Sequence, residues 1–214
     1  MGARGIYVEI EIAAPLERVW ELSQEPRAHA RWDLRFSAIV PLEQRVEGEA
    51  YRFRYERSLP LHTIVGTGIA LGESETAAVG RTSALRFTTD DRLSPLRDGR
   101  GYWRYTPTER GTLFVTGYDY EPGWGAVLDR LVLRRLIGWM TAWSFDRLRI
   151  WAETGVEPET WSPLSVLMVW RHDRPRAARC RRERERAIRP AGGRRTASDA
   201  LDDAPATLDG LAAP

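Results

Sequence analysis

Lysine is absent from this chain of 214 residues; all 32 basic side chains are arginine. That excludes a Schiff-base nucleophile and the lysine of a phosphate-binding P-loop. It also makes arginine counts weak functional evidence, because the bias runs through the whole composition. The single cysteine, Cys180, excludes an intramolecular disulfide and suits a reducing compartment. The three histidines have neither HxxxH nor CxxC spacing around them, so no metal centre and no cofactor are expected. No apolar run approaches the ~18 residues of a membrane span. The opening MGARGIYVEI has no apolar h-region, so no signal peptide is expected and the predicted location is cytoplasmic.

Aromatic side chains are abundant instead, with nine Trp, seven Tyr and five Phe; mean hydropathy is −0.44. Such a chain can bury a core rich in rings. Charge is unevenly placed. Residues 1–170 carry a net −2, residues 171–195 a net +8 and residues 196–214 a net −4. The body is therefore near neutral, and the basicity belongs to one C-terminal stretch.

Ile6, Val8, Ile10 and Ile12 alternate with polar residues, the pattern of a half-buried strand. Pro15 and Pro26 then open two short helical segments, the second ending near Trp32. Strands are predicted over 35–42, 46–57, 63–72, 78–89, 101–107 and 112–121, with Gly- and Pro-containing breaks between them. Short connections of this kind imply an antiparallel meander. From Gly125 to Glu153 the apolar period becomes helical, with Leu128, Val132, Leu136, Trp139, Met140, Trp143, Ile150 and Trp151 on one broad side. The expected fold is α+β: a curved antiparallel sheet of about seven strands around a long C-terminal helix, with two short helices after strand 1. Because a curled sheet closes imperfectly on one helix, an internal cavity is expected.

The segments VEIEIAAPLERVWELSQEPRAHARWD, GTLFVTGYDYEPGWG and RLRIWAE carry a resemblance over roughly residues 5–154. In this layout the chain resembles the SRPBCC superfamily: START-type lipid-transfer domains, pollen-allergen-like proteins and polyketide cyclase/dehydrase-like proteins. The resemblance implies a helix-grip fold and a cavity. Chemistry like that of a polyketide cyclase/aromatase is implied only if the chain is an enzyme. The expected organisation is a helix-grip ligand-binding domain over 1–155 and an extension over 156–214, Arg-rich and then disordered.

Alternation places Phe114, Thr116, Tyr118 and Tyr120 on one strand face, with Trp103 and Tyr105, and Tyr51, Phe53 and Tyr55, inward on others. Rings with hydroxyl tips suit a flat apolar ligand carrying a few oxygens, although they could equally fill a core. The candidate ligand-binding set is Trp32, Tyr55, Trp103, Tyr105, Thr116, Tyr118, Met140 and Trp143. No catalytic residue is assigned. Asp129 and Arg147 fall inside the apolar side of the long helix. Each is read as reaching solvent near a helix end, with a polar anchor in the cavity as the alternative. His62 lies in SLPLHT, a turn, and is read as exposed rather than as a general acid or base. The glycines of GTGIALG lack the following helix of a nucleotide loop and are read as strand glycines.

The expected partner is a hydrophobic small molecule: a polyketide, a lipid or an aromatic. The alternative function is non-catalytic carriage of a lipid or quinone. No nucleic-acid binding is expected, because Glu183 and Glu185 interrupt the arginine run and no aromatic lies within it. The apolar LSVLMVW that precedes it could give peripheral membrane contact.

Overall fold

The computed structural model describes residues 5–44, 50–76 and 80–182. The predicted disordered tail lies outside the described residues. Strand β1 (Ile6–Ile12) leads into helices α1 (Leu16–Gln24) and α2 (Pro26–Trp32). Six strands follow: β2 (Ala38–Pro41), β3 (Tyr51–Leu59), β4 (His62–Thr76), β5 (Gly80–Thr88), β6 (Leu96–Thr108) and β7 (Gly111–Pro122). The chain ends its main body on α3 (Ala126–Leu128), a π-helical turn (Asp129–Leu133) and α4 (Arg134–Thr154). All strand pairs are antiparallel, in the order β1-β7-β6-β5-β4-β3-β2. This is the helix-grip arrangement that the sequence implied.

Register fixes which side chains share the inner face, because alternate residues point to opposite sides. Ile6, Val8 and Ile10 lie opposite Tyr118, Thr116 and Phe114. Those in turn oppose Gly101, Trp103 and Tyr105 on β6. Phe87 and Leu85 of β5 continue the face, followed by Gly68 and Ala70 of β4 and by Phe53 and Tyr51 of β3. Two glycines make this geometry possible. Gly111 has φ +146 in the β6–β7 turn, where a Cβ would sit 2.2 Å from the Ile12 carbonyl. Gly155 has φ +74 and stops α4 with a left-handed cap.

The helices cover this face unequally. Helix α4 packs mainly on β1, α1 on β6 and β7, and α2 on β2. Under them lies a ring-filled core in which Trp32, Tyr105, Phe114, Trp143 and Phe145 are all fully buried. Phe114 and Phe145 stack at 4.4 Å, and Trp32 meets Phe145 edge-on at 6.0 Å.

The beginning of the long helix departs from expectation. Leu128, Val132 and Leu136 are exposed rather than sheet-facing, while Asp129 is 1% exposed. The π turn explains it: the Arg134 amide donates to the Asp129 carbonyl, five residues back rather than four. One extra residue in the turn shifts the helix phase, so the three apolar residues turn outward while Asp129 stays on the inner side and does not reach solvent. There it accepts from the Tyr120 hydroxyl (2.5 Å) and from Arg134 Nε (2.9 Å). Arg147 also fails to reach solvent. It is buried, its Nη1 and Nη2 donate to the carbonyls of Trp32 (3.2 Å) and Pro158 (2.7 Å), and burial brings its pKa down to about 10. His62 is exposed, as expected, but it opens β4 rather than lying in the turn, and it bonds Asp91 at 2.7 Å.

Residues 156–182 pack onto this body. Trp161, Ala177 and Cys180 are buried. The fully buried Asp146 of α4 accepts from the Arg176 amide and from Arg179, both at 2.7 Å, and from Arg149 at 2.6 Å. Arg181 exchanges two backbone hydrogen bonds of 2.9 Å with Glu9, beside the free edge of β1.

Candidate ligand-binding site

The site begins at the end of α2. Pro26 occupies its first turn, and the Asp33 amide closes it on the His29 carbonyl at 3.2 Å. Four residues apart on a helix means one above the other. His29 Nε2 accordingly donates to Asp33 Oδ2 at 3.1 Å. Asp33 then caps its own turn, accepting from the Arg35 amide at 3.0 Å. Arg35 folds back on the same carboxylate, with Nε to Oδ1 at 2.9 Å and Nη2 to Oδ2 at 2.6 Å. Its guanidinium lies 5.2 Å from the centre of the Tyr118 ring, so α2 and β7 meet at this group. Tyr118 is anchored in turn by a 2.8 Å bond to Thr141 of α4. His29, Asp33, Arg35, Tyr118 and Thr141 thus form one polar line across an aromatic interior.

Burial and charge set the protonation of this line. Burial alone would raise the Asp33 carboxyl, but Arg35 and His29 overcome it and hold it well below the usual carboxylate range. For His29 the loss of hydration outweighs its bond to Asp33, and its pKa falls below the ordinary histidine value. It is a neutral imidazole near pH 7, with its proton on Nε2 facing an ionised carboxylate. Burial pushes the Tyr118 phenol up, opposed by Arg35. Around His29, Trp32 stacks at 5.0 Å, and Phe36 and Trp103 approach edge-on at 5.0 and 4.7 Å.

The eight sequence-predicted residues divide into two groups. Trp32, Tyr105, Thr116 and Trp143 are buried to 1% exposure or less. Trp32 donates its indole N–H to the Leu22 carbonyl (3.0 Å), Tyr105 bonds Ser23 (2.7 Å), and Thr116 donates to the Tyr102 carbonyl (3.1 Å). Trp143 packs under Arg147 at 5.2 Å. The second group lies toward the polar line or the less covered half of the sheet. Trp103 touches His29, and Tyr55 packs on Phe36 at 5.7 Å. Tyr118 carries the cation–π contact, and Met140 is half-buried beside Thr141. Burial pushes the Tyr55 phenol up to about 12, with Asp98 adding to it.

Sequence reasoning missed His29, Asp33 and Arg35 as a unit. A usable signal existed: His and Asp four apart on a Pro-opened helix, with Arg two residues on. Among the described residues no group of three or more His, Cys, Asp or Glu could hold a metal ion.

The curved sheet, the long gripping helix and the inward polar line define a helix-grip protein. Residues 4–153 match the family described as polyketide cyclase / dehydrase and lipid transport, and the chain belongs to that family. The chain is 39% identical over 175 residues to a Bacillus subtilis relative named uncharacterized membrane protein YndG, covering 79% of this chain. It spans 65% of that relative's length. Two solved structures share the fold. The Zhui aromatase/cyclase of a Streptomyces species superposes with a TM-score of 0.50 at 15% identity, covering 72% of this chain and 98% of its own. The di-domain ARO/CYC StfQ of the steffimycin pathway gives 0.51 at 17% identity, covering 68% and 48%. Among the described residues no helix is long and apolar enough to cross a membrane.

Proposed function

We propose that this chain binds an apolar small molecule bearing a carbonyl or hydroxyl oxygen, of polyketide, lipid or quinone type, in a hollow against the less covered half of the sheet. The supporting observation is the junction of two surfaces. Tyr51, Phe53, Leu85 and Phe87 are apolar or aromatic inner-face residues left half-buried, and the Arg35–Tyr118 pair lies at the edge of the covered half. Rings would hold the body of the ligand, and the guanidinium and phenol its oxygen. Tyr55, Trp103, Tyr118 and Met140 would line the hollow. Trp32, Tyr105, Thr116 and Trp143 would act from behind, by holding the wall rigid. The domain that does this is residues 1–155, with 156–182 fastened to its back.

Turnover of the cyclase/aromatase kind is supported by family membership and by a neutral His29 beside the pair. There the wall would fold a flexible chain so that reacting carbons meet, and Arg35 and Tyr118 would polarise a carbonyl. Carriage without chemistry is the second reading. It is favoured because Arg35, His29 and Asp33 already satisfy one another and have no need of a substrate proton. The place of work proposed is the cytoplasm, close to a membrane, in keeping with the name of the Bacillus relative. Leu164, Leu167, Val169 and Trp170 are exposed next to Arg171, which would suit peripheral contact through the C-terminal segment.

Native mass spectrometry of the chain purified from its own host tests the reading. A co-purifying apolar molecule that dissociates on activation is expected. An unliganded mass in every preparation, with no uptake of added polyketides, lipids or quinones, would contradict it.

A further inference from the structure

The β3–β4 turn, the β5–β6 connection and the exit from β7 all lie at one end of the sheet. The pairs Leu59–His62, Phe87–Gly99 and Leu96–Pro122 place them there. His62 bonds Asp91 at 2.7 Å and Gly123 bonds Pro95 at 2.9 Å, which ties the three connections together. This end is rimmed by large apolar side chains turned to solvent. Leu61 is 100% exposed and Leu93 53%, and Trp124, Val127, Leu128 and Leu131 follow on the last connection.

Residues 124–133 are built inside out. Their acid, Asp129, is sealed inward against Tyr120 and Arg134, while Val127 is 69% exposed and Leu131 54%. The π turn enforces this, and it holds whatever the hollow contains. Six large apolar side chains exposed at one end of the sheet are unusual for a surface that meets only water. From 124 to 136 the exposed charges, Arg130 and Arg135, are both positive. On the neighbouring strand ends Arg92 and Arg97 face Asp90, Asp98 and Glu121, so the positive charge of the rim is that of residues 124–136 themselves. Apolar side chains among arginines match the interface of an anionic bilayer, where acyl chains lie beneath negative headgroups.

We propose that this rim docks the protein on an anionic lipid surface, with residues 124–136 as the inserting element. Docking there sets the end of the sheet that carries Tyr118 and Tyr120 toward the bilayer. The proposal does not require the ligand reading to hold.

The test is flotation of the full chain with vesicles of phosphatidylcholine alone, or with one third phosphatidylglycerol, at low and high salt. Two variants run beside it: Val127→Asp with Leu131→Asp on the rim, and Leu164→Asp with Trp170→Asp on the C-terminal segment. All four positions are exposed, and an unchanged circular dichroism melt checks folding. Binding to phosphatidylglycerol vesicles, at least tenfold weaker for the rim variant and several-fold weaker in high salt, is expected. Three results would overturn the proposal: no vesicle binding by the parent chain, loss only in the C-terminal variant, or a parent that self-associates through the rim without binding vesicles. Ligand uptake measured in detergent-free solution on the same rim variant separates this proposal from the ligand reading, since uptake is expected to survive.

Discussion

Arg35 closes a bidentate pair on Asp33, at 2.9 and 2.6 Å, while its guanidinium lies over the ring of Tyr118. One short turn after α2 is thereby clamped to β7. The clamp is a structural element as well as a candidate site, and the two roles can be separated experimentally.

Asp33→Ala leaves the largely buried Arg35 without its carboxylate and is expected to cost about 3 kcal/mol in urea unfolding. The pH dependence has a defined sign. Asp33 has a depressed pKa in the folded chain, so its contribution is fully present above the ordinary carboxylate value of ~3.9 and is lost as pH falls below it. His29 is also depressed, so its contribution is present above ~6.5 and declines as pH falls through the mildly acidic range. Parent stability should therefore fall in two steps on acidification. His29→Gln should remove the upper step alone.

Tyr118→Phe removes the 2.8 Å bond to Thr141 without changing the ring that Arg35 covers. A loss of about 1 kcal/mol of stability is expected. Affinity for an oxygen-bearing ligand should fall, while affinity for a pure hydrocarbon of the same shape should stay level. Paired titrations of the two ligand types check this.

Gly101 lies directly opposite Tyr118, and a Cβ there would be 2.5 Å from the Tyr118 Cβ and 2.9 Å from the Gly117 carbonyl. Gly101→Ala is therefore expected to cost at least 1–3 kcal/mol, as overpacking of a backbone contact does. Thermal unfolding of the variant, with Gly125→Ala as a positive-φ control that meets no neighbour within 4 Å, separates crowding from backbone strain.

Asp146 holds the segment that returns over α4, and Cys180 lies beneath that segment with its thiol donating to the Ala142 carbonyl at 3.1 Å. Burial pushes the Cys180 thiol up, which leaves it unreactive. Arg179→Ala should loosen the segment with little loss of overall stability, because Arg149 and the Arg176 amide still serve Asp146. The readout is the rate of thiol labelling: slow in the parent and at least tenfold faster in the variant.

Much of this architecture was legible because strand alternation leaves little freedom. The strand read at 112–121 is observed at Gly111–Pro122, and its inward set of Phe114, Thr116, Tyr118 and Tyr120 has the register expected. What alternation cannot report is how deeply each inward residue sits. Trp32 and Trp143 pointed inward as read, but became solid core because α4 closes tightly over β1. The long helix misled at its start because a wheel of constant period cannot anticipate the π turn that opens at Asp129, so Leu128, Val132 and Leu136 were read on the wrong side. The His29–Asp33–Arg35 group went unread because its spacing, though suggestive, does not show that the turn after the helix folds Arg35 back onto Asp33. Packing of residues 156–182 rests on Asp146, a charge within the helix whose partners in that segment, Arg176 and Arg179, come 30 and 33 residues later, from no local pattern.

The central claim is that the half-buried wall of β3 to β5 takes up an apolar guest beside Arg35. Isothermal titration of the chain with a naphthoquinone, in parallel with Ala70→Trp, tests it most directly. Ala70 is half-buried on the inner face, between Tyr51 and Leu85, so a tryptophan there fills the space without touching the polar line. The account predicts saturable one-to-one binding by the parent and at least a tenfold loss in Ala70→Trp at unchanged melting temperature. No saturable binding, or equal affinity in the two proteins, would contradict it.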